Sequence, residues 1–192
     1  MRTYTLCVRK KLFKFVDANG RESKKREWTR IVHIKLSKMK KLEFKIDINA
    51  NAKKVWDTFL NAETFKEMIG ASYPGSYYKG QWKKGENVKF LSAQEGGTLA
   101  NIVEMRPYEY ILAKHIAVIN ADGSEDRSSE QAKGWIGTTE EYIFNGEEGK
   151  TELKIVVNTT PEWASMFTEG WPNNLKKLKE ICERSRVGVA TL

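Results

Sequence analysis

At 192 residues, with 40% hydrophobic and 30% charged content, the chain can bury one sizeable core without staples and has the composition of an ordinary soluble domain. No apolar run is long enough to span a membrane, the charged N-terminus lacks the apolar stretch of a secretory signal, and Cys7 and Cys182 supply neither a disulfide framework nor metal spacing. A reduced, cytoplasmic protein with no metal and no cofactor is expected.

The net charge of +8 divides by position. Residues 1–38 hold 12 of the 33 basic and 3 of the 25 acidic residues, a balance of +9, which leaves 21 basic against 22 acidic residues, or −1, for the rest. The folded body therefore has no electrostatic bias toward nucleic acid. Within residues 1–38, the turn-rich stretch DANGRESKKRE separates the strand-like pieces LFKFV and IVHIKL, and the segment reads as a disordered basic tail. Met39, followed at once by a well-formed strand, reads as the natural start, with the residues before it a misassigned start or an added leader. A basic arm for nucleic acid or an anionic membrane is the functional alternative.

Residues 41–48 alternate strictly: Leu42, Phe44, Ile46 and Ile48 face one way, and Lys41, Glu43, Lys45 and Asp47 the other, as in a half-buried strand. Asn51 is placed to cap a short helix carrying Val55, Trp56 and Phe59, and residues 62–69 form a second with Phe65 and Met68. Turn signals follow at YPG and KGQWKKG. From 87 to 157 the pattern is an antiparallel meander, with strands over 87–93, 98–105, 108–119, 137–144 and 151–157. The polar stretch NADGSEDRSSEQAKG after the third of these reads as the most mobile loop of the body.

Pro161 opens a C-terminal helical region at a first-turn position. There Trp163, Phe167, Trp171, Asn174, Leu178 and Ile181 share one face, opposite Lys176, Lys177, Lys179, Glu180 and Glu183. Gly170 and Pro172 predict a break or kink, because proline inside a helix removes one hydrogen bond and clashes with the preceding turn. The globular domain is expected over 39–185 and a frayed end over 186–192.

The sequence contains no GxSxG, HExxH, CxxC or phosphate-binding loop. His115 lies mid-strand on the face of Ile111, Ala113, Ala117 and Ile119. It is either a structural histidine or an acid–base group. Period two puts Glu140 with Tyr142 and Glu141 with Ile143, so one of the two glutamates should point inward, where it needs a partner; solvated glutamates on an outer face are the alternative. Trp56, Trp82, Trp135, Trp163 and Trp171 fall on helices or near strand ends, either as core or as the rim of an apolar site.

Several strings resemble a known family: KLEFKIDINANAKKVWDTFL, GGTLANIVEMRPYEYI, TTEEYIF and above all GWPNNLKKLKEI. They are similar to the SRPBCC, or START-like, superfamily, in the branch related to the C-terminal domain of the activator of Hsp90 ATPase. The resemblance covers about residues 40–184 and implies an α+β helix-grip fold: a curved antiparallel sheet wrapped around a long C-terminal helix, two short helices after the first strand, and an internal cavity. Residues 1–38 are too short to be the separate chaperone-binding domain of the Hsp90 activators. The function expected is binding of a small, largely apolar ligand, by Trp56, Trp82, His115, Trp135, Glu140, Tyr142, Phe167 and Trp171. A cyclase- or dehydratase-like enzyme and a chaperone-related interaction module are the alternatives. The protein is expected to be a monomer or homodimer.

Overall fold

A computed structural model describes residues 39–93 and 96–184. The expected tail over 1–38, with Cys7, Trp28 and His33, and the expected frayed end over 186–192 lie outside the described residues. The elements in chain order are β1 (Lys40–Ile48), α1 (Ala52–Leu60), α2 (Ala62–Ile69), β2 (Tyr77–Gly80), β3 (Asn87–Leu91), β4 (Gly97–Arg106), β5 (Tyr110–Ile119), β6 (Glu125–Asp126), α3 (Glu130–Trp135), β7 (Thr139–Glu147), β8 (Lys150–Thr159) and α4 (Pro161–Glu183). The strands form one antiparallel sheet in the order β1-β8-β7-β5-β4-β3-β2, with β6 added to β5. Because α1 and α2 follow the first strand, the chain leaves β1, packs two helices, and re-enters the sheet at its far edge.

Local chemistry accounts for the boundaries. The Asn51 side chain accepts from the Lys54 amide, and Asn61 accepts from Glu63 and Thr64, so one asparagine ends α1 and starts α2. The β7–β8 hairpin turns through Glu148 and Gly149, both at positive φ, the geometry that matches the twist of the strands. At Gly97 the backbone of β3 passes so close that a Cβ would overlap Phe90 and Leu91.

Three expectations change. First, α4 is one helix of 23 residues with Pro172 inside it, without the expected break. Tertiary contacts brace the helix on either side of the carbonyl that Pro172 leaves unpaired: the Tyr73 hydroxyl donates to the Met166 carbonyl at 2.6 Å and Ser72 Oγ donates to the Gly170 carbonyl at 2.9 Å. Gly170 is needed there because a methyl group would overlap the Tyr73 ring. Second, the polar stretch after β5 contains β6 and α3. Asp126 accepts from the amides of Ser128 and Ser129, and Ser129 caps α3.

Third, β4 and β5 slip in register between Leu99 and Ala100 and again between Ile102 and Glu104. Leu99 lies opposite Ala117 and Ala100 opposite His115, so Ile116 is an extra residue on β5 and the side chains beyond it change faces. Ala117 and Ile119 join Leu99 in a separate small cluster, and Val118 is the one that packs on the main core. His115 therefore shares its face with Ile111 and Ala113 but not with Ala117 or Ile119.

The main core gathers Val55, Trp56 and Phe59 of α1, the inner faces of the central strands, and Phe167, Trp171, Leu175, Leu178 and Cys182 of α4. The far end of α4 is tied down by Arg184 on Glu67 and by the Glu183 carboxylate, which accepts from the Asn49 amide at 2.7 Å. Among the described residues, no helix is long and apolar enough to cross a membrane.

Candidate functional site

The inward positions of β5 and β7 bring three polar side chains together. Ala113 pairs with Glu140 and Ile111 with Tyr142, so His115, two residues past Ala113, reaches across to the β7 carboxylate. His115 Nε2 lies 3.0 Å from Glu140 Oε1, and the Tyr142 hydroxyl donates to Glu140 Oε2 at 3.2 Å. All three are buried, with His115 1%, Tyr142 2% and Glu140 7% exposed. A carboxylate taken out of water is costly unless paired and hydrogen-bonded, and here each oxygen has a partner. Burial, and then the charge of Glu140, push the Tyr142 phenol well above its ordinary pKa. Glu141 is half-buried on the other face, with the Tyr110 hydroxyl donating to it at 3.0 Å. Burial first, and then this bond, push the Tyr110 phenol up to about 12.

Beside the three lies a cavity of about 650 Å³, between the inner face of the sheet, the N-terminal half of α4 and the stretch from Ser72 to Ser76. Its aromatic wall is ordered by Trp135, which stacks on Phe167 with ring centroids 5.8 Å apart and planes 14° off parallel. Trp135 meets Trp163 edge-on at 5.0 Å and His115 at 5.1 Å. Trp171 meets Tyr142 edge-on at 6.0 Å. The helix that carries Trp135 is the one that polar composition concealed.

Of the residues expected in the site, His115, Trp135, Glu140, Tyr142, Phe167 and Trp171 line this cavity. Trp56 and Trp82 do not. Trp56 is buried at the other end of the domain against Phe144 and Tyr108. Trp82 packs among Phe59, Phe65, Tyr78 and Phe90. The sequence reading of the site missed Tyr73, Phe90 and Asn174, which also line the cavity. Asn174 was the lone polar member of the apolar stripe of α4, and that was its signal. Tyr73 and Phe90 carried none.

Three buried polar atoms of cavity-lining residues have no hydrogen-bond partner among the described residues: His115 Nδ1, Trp135 Nε1 and Asn174 Oδ1. Buried polar groups are almost always satisfied, which makes these three exceptions; the polar side chains of Ser72, Tyr73, Thr98 and Gln131 also line the cavity. Among the described residues no group of three or more His, Cys, Asp or Glu could hold a metal ion.

A curved antiparallel sheet closed by one long C-terminal helix, with two short helices after the first strand, defines a helix-grip domain of the SRPBCC class. The model of the activator of Hsp90 ATPase homolog 1-like proteins matches residues 49–183, and the chain belongs to that family. Solved structures agree on the fold. A protein of Chromobacterium violaceum is 16% identical with a TM-score of 0.57, over 76% of this chain and 98% of that one. The Aha1 dimer of Colwellia psychrerythraea is 17% identical with a TM-score of 0.56, over 77% and 98%. CalU16 of Micromonospora echinospora is 14% identical with a TM-score of 0.53, over 76% and 77%. Among curated proteins, none matches the chain.

Proposed function

We propose that the protein binds a small, largely apolar ligand between the sheet and α4, with Glu140, His115 and Tyr142 at the polar end of the site. The observation that carries this reading is the cavity of about 650 Å³, aromatic along one wall and furnished with a buried, hydrogen-bonded carboxylate. That volume suits a small organic molecule, and affinity would come from apolar area removed from water at roughly 25 cal/mol per Å², less the costs of association. Native mass spectrometry of protein purified from its own host tests it, followed by identification of whatever leaves on denaturation. A stoichiometric apolar passenger is the expected result. An empty protein that also takes up no neutral fluorescent dye would sink the proposal. It would favour an interaction module, whose partner should survive substitutions in the cavity. The same spectra distinguish a monomer from a homodimer, the assembly of the Colwellia relative.

One observation favours a second reading as a cyclase- or dehydratase-like enzyme. The His115–Glu140 pair is buried at a cavity wall with a phenol beside it, and such a pair can take and return a proton. His115→Ala should then abolish turnover while binding persists, whereas in a simple binder it changes affinity alone.

A further inference from the structure

Charge is distributed one-sidedly over the cavity wall. No lysine or arginine lines it, and Glu140 is its one carboxylate. The Glu140 oxygens lie within hydrogen-bond reach of His115 Nε2 and the Tyr142 hydroxyl. The other ring nitrogen of His115, Nδ1, is buried without a partner among the described residues, so an imidazolium, which donates from both nitrogens, would leave one buried N–H unmet. A neutral imidazole donating from Nε2 avoids that. With Glu140 ionised, the three side chains together then carry one negative charge, and no cation of the lining offsets it. Where little water screens it a charge acts at a distance, so an occupant need not touch the carboxylate. Glu140 nonetheless keeps 9% of its side-chain surface exposed, against 2% for His115. A second negative charge adds to the first: burial, and then the charges of Glu169 and Glu140, hold the Tyr73 phenol of the wall above its ordinary pKa. Lys79 lies over the Tyr77 ring but is itself exposed, where water and salt screen it.

Much of the remaining wall is aromatic, with Trp135, Trp163, Trp171, Phe167 and Tyr73 all contributing to it. The faces of such rings carry the negative part of a quadrupole, which attracts cations and repels anions. A neutral apolar body gains burial here but nothing from the charge, and an anion is repelled by rings and carboxylate alike. Resting on the reading of the cavity as a binding site, we infer that its ligand is an organic cation, an ammonium group on an apolar body, and that Glu140 supplies the countercharge.

Displacement of the neutral dye N-phenyl-1-naphthylamine from the full chain at neutral pH tests this, with three probes that share a 2-naphthylmethyl body and differ in a head of similar size: trimethylammonium, tert-butyl and sulfonate. The ammonium probe should compete about tenfold more tightly than the tert-butyl probe, and the sulfonate more weakly than either. The net charge of +8 on the full chain would by itself favour the sulfonate, so a preference for the cation reports on the cavity. Glu140→Gln, which keeps the size and removes the charge, should bring the ammonium probe down to the tert-butyl probe and leave the latter unchanged. Equal competition by those two on the unaltered protein, tighter competition by the sulfonate, no displacement by any probe, or a cation preference that survives in folded Glu140→Gln overturns the charge assignment and leaves the cavity as a binding site. If neither the dye nor any probe binds, by calorimetry as well, both readings fall. The comparison on the unaltered protein decides the matter even if the variant fails to fold.

Discussion

Beneath the C-terminal half of α4 the interior is filled, whereas beneath its N-terminal half the same sheet and the same helix border a cavity that opens to the surface. At the filled end Leu175, Leu178 and Cys182 pack with Val55, Trp56 and Phe59 of α1, all nearly or wholly buried. Phe59 alone lies within ring-contact distance of Phe65, Trp82, Tyr142 and Phe144. At the open end the helix presents Trp163, Met166, Phe167 and Trp171 to space. What differs is the covering: α1 packs against the filled end, whereas the open end is walled by Phe65 and Ile69 of α2, Trp135 of α3 and the stretch from Ser72 to Ser76. One sheet and one helix can thus be densely packed at one end and border a cavity at the other.

The sharpest test of that contrast removes one phenylalanine from each end. Phe59→Ala should cost about 3–5 kcal/mol, because its neighbours cannot close the hole. Phe167→Ala should cost less, about 2–3 kcal/mol, since Phe167 lines the cavity wall while Phe59 is wholly buried. Denaturant midpoints at unchanged slope measure both, and equal losses would erase the distinction. Next in size, His115→Leu leaves the buried Glu140 carboxylate with Tyr142 alone and should cost about 2–3 kcal/mol. Adding Glu140→Leu should return part of that loss in a double-mutant cycle, and a purely additive pair would show that the two do not act together.

The smallest effect is a matter of pH. The folded protein keeps the Tyr142 proton above the ordinary pKa of 10.0, because burial and then the Glu140 charge disfavour the phenolate. The unfolded chain loses that proton as pH rises past about 10 and is favoured by doing so, so stability holds below about pH 10 and falls above it. Tyr142→Phe should flatten this alkaline decline at a cost near 1 kcal/mol at neutral pH. Thermal midpoints from pH 8 to pH 11 follow it, and an unchanged slope would show that other groups govern the alkaline limb.

Much of the architecture was legible where local chemistry decides it. The alternation of β1, the Asn51 cap, Pro161 at the first turn of α4 and the separation of Glu140 from Glu141 by period two all follow from residues close in sequence. What was not legible depends on partners far along the chain. The extra residue at Ile116 leaves no mark in the β5 pattern, yet it moves Ala117 and Ile119 away from His115. Pro172 predicts a break, yet the helix is continuous and is braced there by Ser72 and Tyr73, about a hundred residues earlier. Trp56 and Trp82 have the same local surroundings as the tryptophans of the wall, and only tertiary packing assigns them to the filled end. The helix bearing Trp135 was hidden because a polar stretch with one apolar anchor reads as a loop.

The hold of Ser72 and Tyr73 on α4 has a kinetic side. The stretch they belong to forms part of the cavity wall, so local opening of that wall requires both hydroxyls to release their carbonyls. If the cavity takes a ligand as proposed, the lifetime of that complex would reflect how often this short segment opens locally, and not affinity alone.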